Sequence, residues 1–346
     1  MNKYAKRYFI DALGGMAQGL FASLLVGTIV KTLGQQFLRL GENAVFDYLV
    51  SAGTFASDPK VFGAAMAVGI GSAMSVPPLV LFSLVAVGAA ANVSGGAGGP
   101  LAVLVIAIIA SECGNAVSKK TKIDILVTPL VTILSGILLT VLTAKYIGIA
   151  ANYVGNVIMW ATAQRPFIMG MLISVIVGLA LTLPISSAAI CATLGLTGLA
   201  GGAAVAGCSA QMIGFAVMSF SENGWSGLVS QGLGTSMLQM PNIIKNPRIW
   251  IPPTLASLIT GPLATCLFAL EMNGPAVSSG MGTCGLVGQI GVITGWATNP
   301  FFSPSALDWA GLALICFVLP GVISLAVCSY LKKIGWIKKG DLKLPD

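Results

Sequence analysis

The sequence predicts an all-α polytopic membrane protein of about ten transmembrane helices, some broken or re-entrant, arranged as two inverted repeats. Three observations carry that expectation. The 346 residues are 56% hydrophobic and 8% charged, with mean hydropathy +0.91, whereas a soluble domain carries about 25% charged residues. Several apolar runs approach or exceed the ~20 residues that a helix needs to cross a bilayer core. Similar stretches also recur about 125 residues apart. The ~10-residue alternating segments of a membrane β-barrel are absent.

In chain order, residues 1–14 read as a short basic amphipathic segment at the inner membrane surface, because Asp11 and Gly14–Gly15 interrupt any signal-peptide core. The first span is "GMAQGLFASLLVGTIV" (15–30), after which Lys31 and Arg39 snorkel to an interface. Asp47, Asp58 and Lys60 fall in a polar connection. Shorter apolar pieces follow at 61–74, 76–93 and 100–110, and "SGGAGGP" (94–100) reads as a helix break. Clear spans are "ILVTPLVTILSGILLTVLTA" (125–144), "PFIMGMLISVIVGLALTLPI" (166–185) and "AGLALICFVLPGVISLAVCSYL" (310–331). Further short pieces come at 226–240 and 284–297, two or more pieces do not cross fully, and some of the glycines clustered at 94–100, 198–207 and 278–285 let helices approach closely.

The whole chain, 1–346, reads as a single transmembrane domain with internal repeats at roughly 15–150 and 151–331 and cytoplasmic tails at 1–14 and 332–346. A 125-residue shift lays Lys120 on Lys245, Gly136 on Gly261 and Leu138 on Leu263. Each copy has a polar break, a basic loop, a start containing proline and a long span. About five spans per copy would invert the second repeat, a design that puts the binding site at the repeat interface.

The net charge of +7 concentrates in the tails, with Lys3, Lys6 and Arg7 at one end and Lys332, Lys333, Lys338, Lys339 and Lys343 at the other. This is a positive-inside signature, not a nucleic-acid one, and it places both termini in the cytoplasm with an even number of spans. The seven cysteines form no C-x-x-C pair and histidine is absent. No metal site is therefore expected, nor a phosphohistidine or a serine–histidine triad. "GMGTCG" (280–285) matches G-x-G-x-x-G but lacks the strand–helix context of a dinucleotide site. No cofactor and no catalytic residue is expected.

Four acids lie against apolar stretches: Glu112, Asp124, Glu222 and Glu271. A charge at the bilayer centre costs at least ~2.5 kcal/mol, so each must face a cavity or a partner. Asp124 suits a helix start, and Glu271 marks a loop. Glu112 and Glu222 sit in polar kinks, "ASECGN" and "SFSENG". The second kink continues with Gln231, Thr235, Ser236, Gln239 and Asn242, neutral donors and acceptors of the kind that polyols require. The expected substrate site is one polar cavity lined by Asn92, Glu112, Asn115, Glu222, Asn223, Gln231, Thr235, Ser236, Gln239 and Asn242.

"NVSGGAGGP", "SECGNAVSKKTKIDILVTP", "LPISSAAI", "QGLGTSMLQMPNIIKNPRIWIPPT" and "GMGTCGLVGQIG" together resemble the membrane family of phosphotransferase-system IIC-like proteins, including PfoR-type regulators. The resemblance implies ten transmembrane helices with re-entrant hairpins and inverted halves, a homodimer, and a place in a bacterial cytoplasmic membrane. It also implies uptake of a sugar-like solute that separate IIA and IIB proteins phosphorylate, since no such domain is on this chain. A membrane-embedded solute sensor and an ion-coupled permease are the alternatives.

Overall fold

A computed structural model describes residues 6–38, 41, 43–298 and 302–344. Lys3 and Arg39 lie outside them. The described residues are helical with no strand, only one isolated bridge between Gly198 and Met272. Six helical stretches are long and apolar enough to cross a membrane, and three more apolar helices are shorter. The chain is an all-α polytopic membrane protein. It divides into two compact units, Met1–Ala151 and Asn152–Asp346.

In the first unit, helix α1 (Ala12–Leu38) runs antiparallel to α2 (Ala44–Ala56) and α3 (Pro59–Ala73) in turn. The backbones touch at Gly15 and Gly69, where a Cβ on either would collide with the other's carbonyl. Helix α2 corrects the expectation of a polar connection around Asp47. Asn43 caps it by accepting from Val45 N at 2.9 Å, Asp47 sits in its first turn, and its other residues are mostly apolar. Asp58 then caps α3 by accepting from Lys60 N at 2.8 Å.

Helices α4 (Pro78–Gly95) and α5 (Gly99–Val117) form a hairpin. The chain reverses at Gly96, whose φ of 52° and ψ of −121° exclude a side chain. A Cβ on Gly114 would touch Val80 at 2.9 Å, near the far end of the hairpin. At ~1.5 Å per residue, the 18-residue and 19-residue arms are each about 27–29 Å long, close to the ~30 Å hydrocarbon thickness. The break expected at "SGGAGGP" is therefore present. The kink expected at Glu112 is not, because residues 99–117 are one uninterrupted helix. Glycine and polar letters in "SECGN" do not break it, since Gly114 is packed against Val80 and Thr132. Asp124 opens α6 (Asp124–Thr162) and fastens the preceding loop, accepting from Lys119 N at 2.7 Å and Thr128 Oγ1 at 2.6 Å.

In the second unit, α7 (Pro166–Thr182), α9 (Gly198–Met218) and α12 (Pro247–Leu267) pack around α9. Gly207 lets α9 meet the Ser174 carbonyl, and Ser174 Oγ donates to Ser257 O at 2.7 Å. Helices α7 and α9 run parallel, so residues 183–197 must return along α7, using the short helix α8 (Ser187–Thr193). This segment is partly buried and is tied to residues 270–282. Ser187 Oγ donates to Gly280 O at 2.7 Å, Ser279 Oγ to Leu196 O at 2.6 Å, and Gly198 bridges Met272.

After α9 the chain fragments into α10 (Phe220–Val229), a π turn (Ser230–Gly234), a 3₁₀ turn (Ser236–Gln239) and α11 (Met240–Lys245). Gly224 at φ 58° and ψ −153° makes the first break. Helix α13 (Val287–Thr298) and the long α14 (Ala306–Lys333) complete the unit, followed by a tail over 334–344.

Candidate functional site: a polar relay closed by the C-terminal tail

The broken segment gathers most of the residues expected to bind solute. Gln231, Gln239 and Asn242 are buried and form a one-way relay of amides. Asn242 Nδ2 donates to Gln239 Oε1, Gln239 Nε2 to Gln231 Oε1, each at 2.8 Å, and Gln231 Nε2 to Ser219 Oγ at 2.9 Å. Thr235, extended at φ −157°, caps the 3₁₀ turn through Met237 N, and Ser236 Oγ meets Thr182 Oγ1 at 2.8 Å. Amides and hydroxyls do not titrate near neutral pH, so this cluster offers neutral hydrogen-bond donors and acceptors.

What it binds in the structure is the chain's own tail. Asn223 Nδ2 donates to Leu342 O at 2.8 Å while its Oδ1 accepts from Leu344 N at 2.9 Å. Gln239 Nε2 also reaches Leu342 O at 3.0 Å, and Asn242 Nδ2 reaches Lys343 O at 2.8 Å. Glu222 Oε2 accepts from Gly340 N at 3.0 Å and Leu342 N at 3.2 Å. Asn246 Nδ2 adds Trp336 O and Asp341 Oδ2. Leu342 and Ile337 are buried as apolar anchors, and Arg248 lies over the Trp336 ring at 5.0 Å. The tail's part was not anticipated, because "IGWIKKGDLKL" has no periodicity and its partners lie roughly 90–120 residues away.

The remaining predicted residues belong to the first unit and are not gathered together there. Asn92, near the hairpin turn, is buried and donates to Pro59 O at 2.7 Å. Glu112 lies thirteen positions beyond Gly99, the residue that Asn92 faces, or about 20 Å along the helix at ~1.5 Å per residue. Asn92 and Glu112 therefore do not line one cavity. Glu112 Oε1 pairs with Arg7 Nη2 at 3.0 Å, with side chains 38% and 31% exposed. Asn115, one turn on, is half-buried.

A cavity of about 240 Å³ in the second unit went unnoticed in the sequence. Glu271, Asn273 and Asp308 supply polar groups, and Trp296 and Phe302 an aromatic wall. Trp296 stacks edge-on against Trp309 with centroids 5.2 Å apart. Asn273 Nδ2 donates to Glu271 Oε2 at 2.8 Å, and Asp308 Oδ2 closes a capping box with Ser305. Carboxylates beside a flat aromatic face suit a hydroxyl-rich ligand. Glu271 reads as a loop residue in sequence because Trp296, Phe302 and Asp308, which share its cavity, lie more than twenty residues downstream.

Two units of apolar helices, with broken and returning segments that carry buried polar groups, define a polytopic helical membrane protein. A sequence model of the family described as Phosphotransferase system, EIIC matches residues 10–344, and the chain belongs to that family. No curated protein and no solved structure matched it. It is thus a multi-pass permease component of the phosphotransferase type.

Proposed function

We propose that the protein translocates a sugar-like polar solute across the bacterial cytoplasmic membrane, with phosphorylation supplied by separate IIA and IIB proteins. The observation that carries this reading is the family match over nearly the whole chain, joined to the absence of histidine from residues 1–346, which carry no phosphohistidine themselves. The expected homodimer and cytoplasmic termini belong to the same reading. Two inverted repeats are also part of it, supported by a division between compact units after Ala151.

For the solute itself, the cavity at Glu271 is the first candidate, because its polar groups stand beside an aromatic wall and it is open. The relay of Gln231, Gln239 and Asn242 with Glu222 and Asn223 is the second, and it requires the tail to leave. Thermal-shift screening of purified protein against sugars, polyols and nucleosides names the ligand class. Glu271→Gln should weaken binding about 10-fold if the first candidate is right, and Gln231→Leu should do so if the second is. Phosphoenolpyruvate-dependent uptake in cells supplying IIA and IIB then tests the function. Uptake that needs no phosphoenolpyruvate and collapses with an ionophore would make the protein an ion-coupled permease. Solute binding with no uptake under either condition would make it a sensor.

A further inference from the structure

Glu222 meets the tail with one oxygen only. Its Oε2 holds two tail amides, but Oε1 has no hydrogen-bond donor, although the side chain is only 6% exposed. The Lys332 Nζ stands off at 3.9 Å, beyond hydrogen-bond reach. A buried carboxylate oxygen left unmatched is costly, so it is normally satisfied by a ligand or a water. Glu222 lines an open cleft of about 610 Å³ together with Ser221, Ile337 and three lysines, Lys332, Lys338 and Lys339. The docked tail builds this cleft: Lys338 N donates to Asp341 Oδ2 at 2.8 Å, which sets the turn carrying Lys338 and Lys339.

Three ammonium groups around one carboxylate leave an excess of positive charge, which calls for an anion. The carboxylate repels a bare anion and calls for a hydroxyl donor. One ligand class meets both demands. We propose that this cleft binds a hydroxyl-bearing phosphate ester, with the phosphate among Lys332, Lys338 and Lys339 and a hydroxyl donating to Glu222 Oε1. The chemistry is shared by two sources, a soluble phosphorylated polyol and the glycerol-phosphate headgroup of a lipid. The proposal does not depend on the transport reading.

The test uses the full chain in neutral detergent. Calorimetric titration compares glycerol 3-phosphate and a hexose 6-phosphate with inorganic phosphate and with the unphosphorylated polyols. In parallel, native mass spectrometry compares retention of phosphatidylglycerol with that of phosphatidylcholine. Binding by an ester at least about 10-fold tighter than by phosphate or polyol alone is expected in one arm. The arm that responds identifies the source. Lys338→Ala with Lys339→Ala, both exposed, should weaken that binding about 10-fold while leaving the melting temperature unchanged. Glu222→Gln should narrow the preference for the ester over inorganic phosphate. Binding in neither arm overturns the proposal and leaves a water on Oε1. Equal affinity for inorganic phosphate, or wild-type binding in the double lysine variant, overturns it as well. Because the readout is binding, a protein that transports nothing would still give a decisive result.

Discussion

Glu112 and Glu222 look alike in sequence, each a lone acid beside apolar runs, and their surroundings separate them. The Glu112–Arg7 pair is more than 30% exposed on both sides, and solvent-exposed pairs contribute about 0–1 kcal/mol. Glu112→Gln should therefore lower stability by less than ~1 kcal/mol, read as a small change in chemical or thermal midpoint. Asn242 is different, because truncating it strips donors from both Gln239 Oε1 and Lys343 O. The buried Gln239 acceptor left unmatched costs about 1–3 kcal/mol. Asn242→Ala should free the tail, seen as rapid proteolysis or amide exchange at 336–344, and an unchanged exchange rate would mean that the amide relay does not hold it. At this scale the sequence shows polar residues that cluster locally, and Gln231, Gln239 and Asn242 are hydrogen-bonded to one another. It did not identify their partner, since a backbone strap leaves no side-chain pattern.

At the scale of elements, breaks and close approaches decide the architecture, and both are glycine positions. Gly96 and Gly224 adopt positive φ with strongly negative ψ, a region that costs an L-residue about 1–3 kcal/mol. Gly96→Ala and Gly224→Ala should each lower the melting temperature, while Gly155→Ala, helical with only ordinary contacts, should be neutral or slightly stabilising. Equal effects at all three would remove the argument from backbone strain. The long apolar runs and the break at 94–100 were legible because lipid demands uninterrupted apolar letters and glycine clusters interrupt them. Helix α2 was not, because Asp47 and Tyr48 dilute its apolar pattern. The return of 183–197 was not either, because its direction depends on α7 and α9 being parallel, and that is set by packing.

For the whole molecule, the two basic loops provide the sharpest test of internal symmetry. Lys120 and Lys245 correspond under the 125-residue shift, and both are exposed. If the repeats are inverted, cysteines placed at these positions in a cysteine-free background should label from opposite sides of the membrane. Labelling from the same side would end the inverted-repeat reading. The local structures already differ: 99–117 is one helix, whereas the corresponding 224–242 is divided among α10, two tight turns and α11. This difference counts against a close structural repeat over these stretches. Lys343→Cys tests the cytoplasmic position of the tail in the same experiment.

The docked tail also has a consequence in time. Asn223 and Asn242 leave the ribosome 121 and 101 residues before their partners Leu344 and Lys343. At ~5–20 residues per second, the broken segment waits roughly 5–25 s for the tail contacts of Glu222, Asn223, Gln239 and Asn242. During that interval it cannot be finished as a membrane-embedded structure. The second unit can therefore complete its packing only once residue 344 has emerged, however early its long helices have formed.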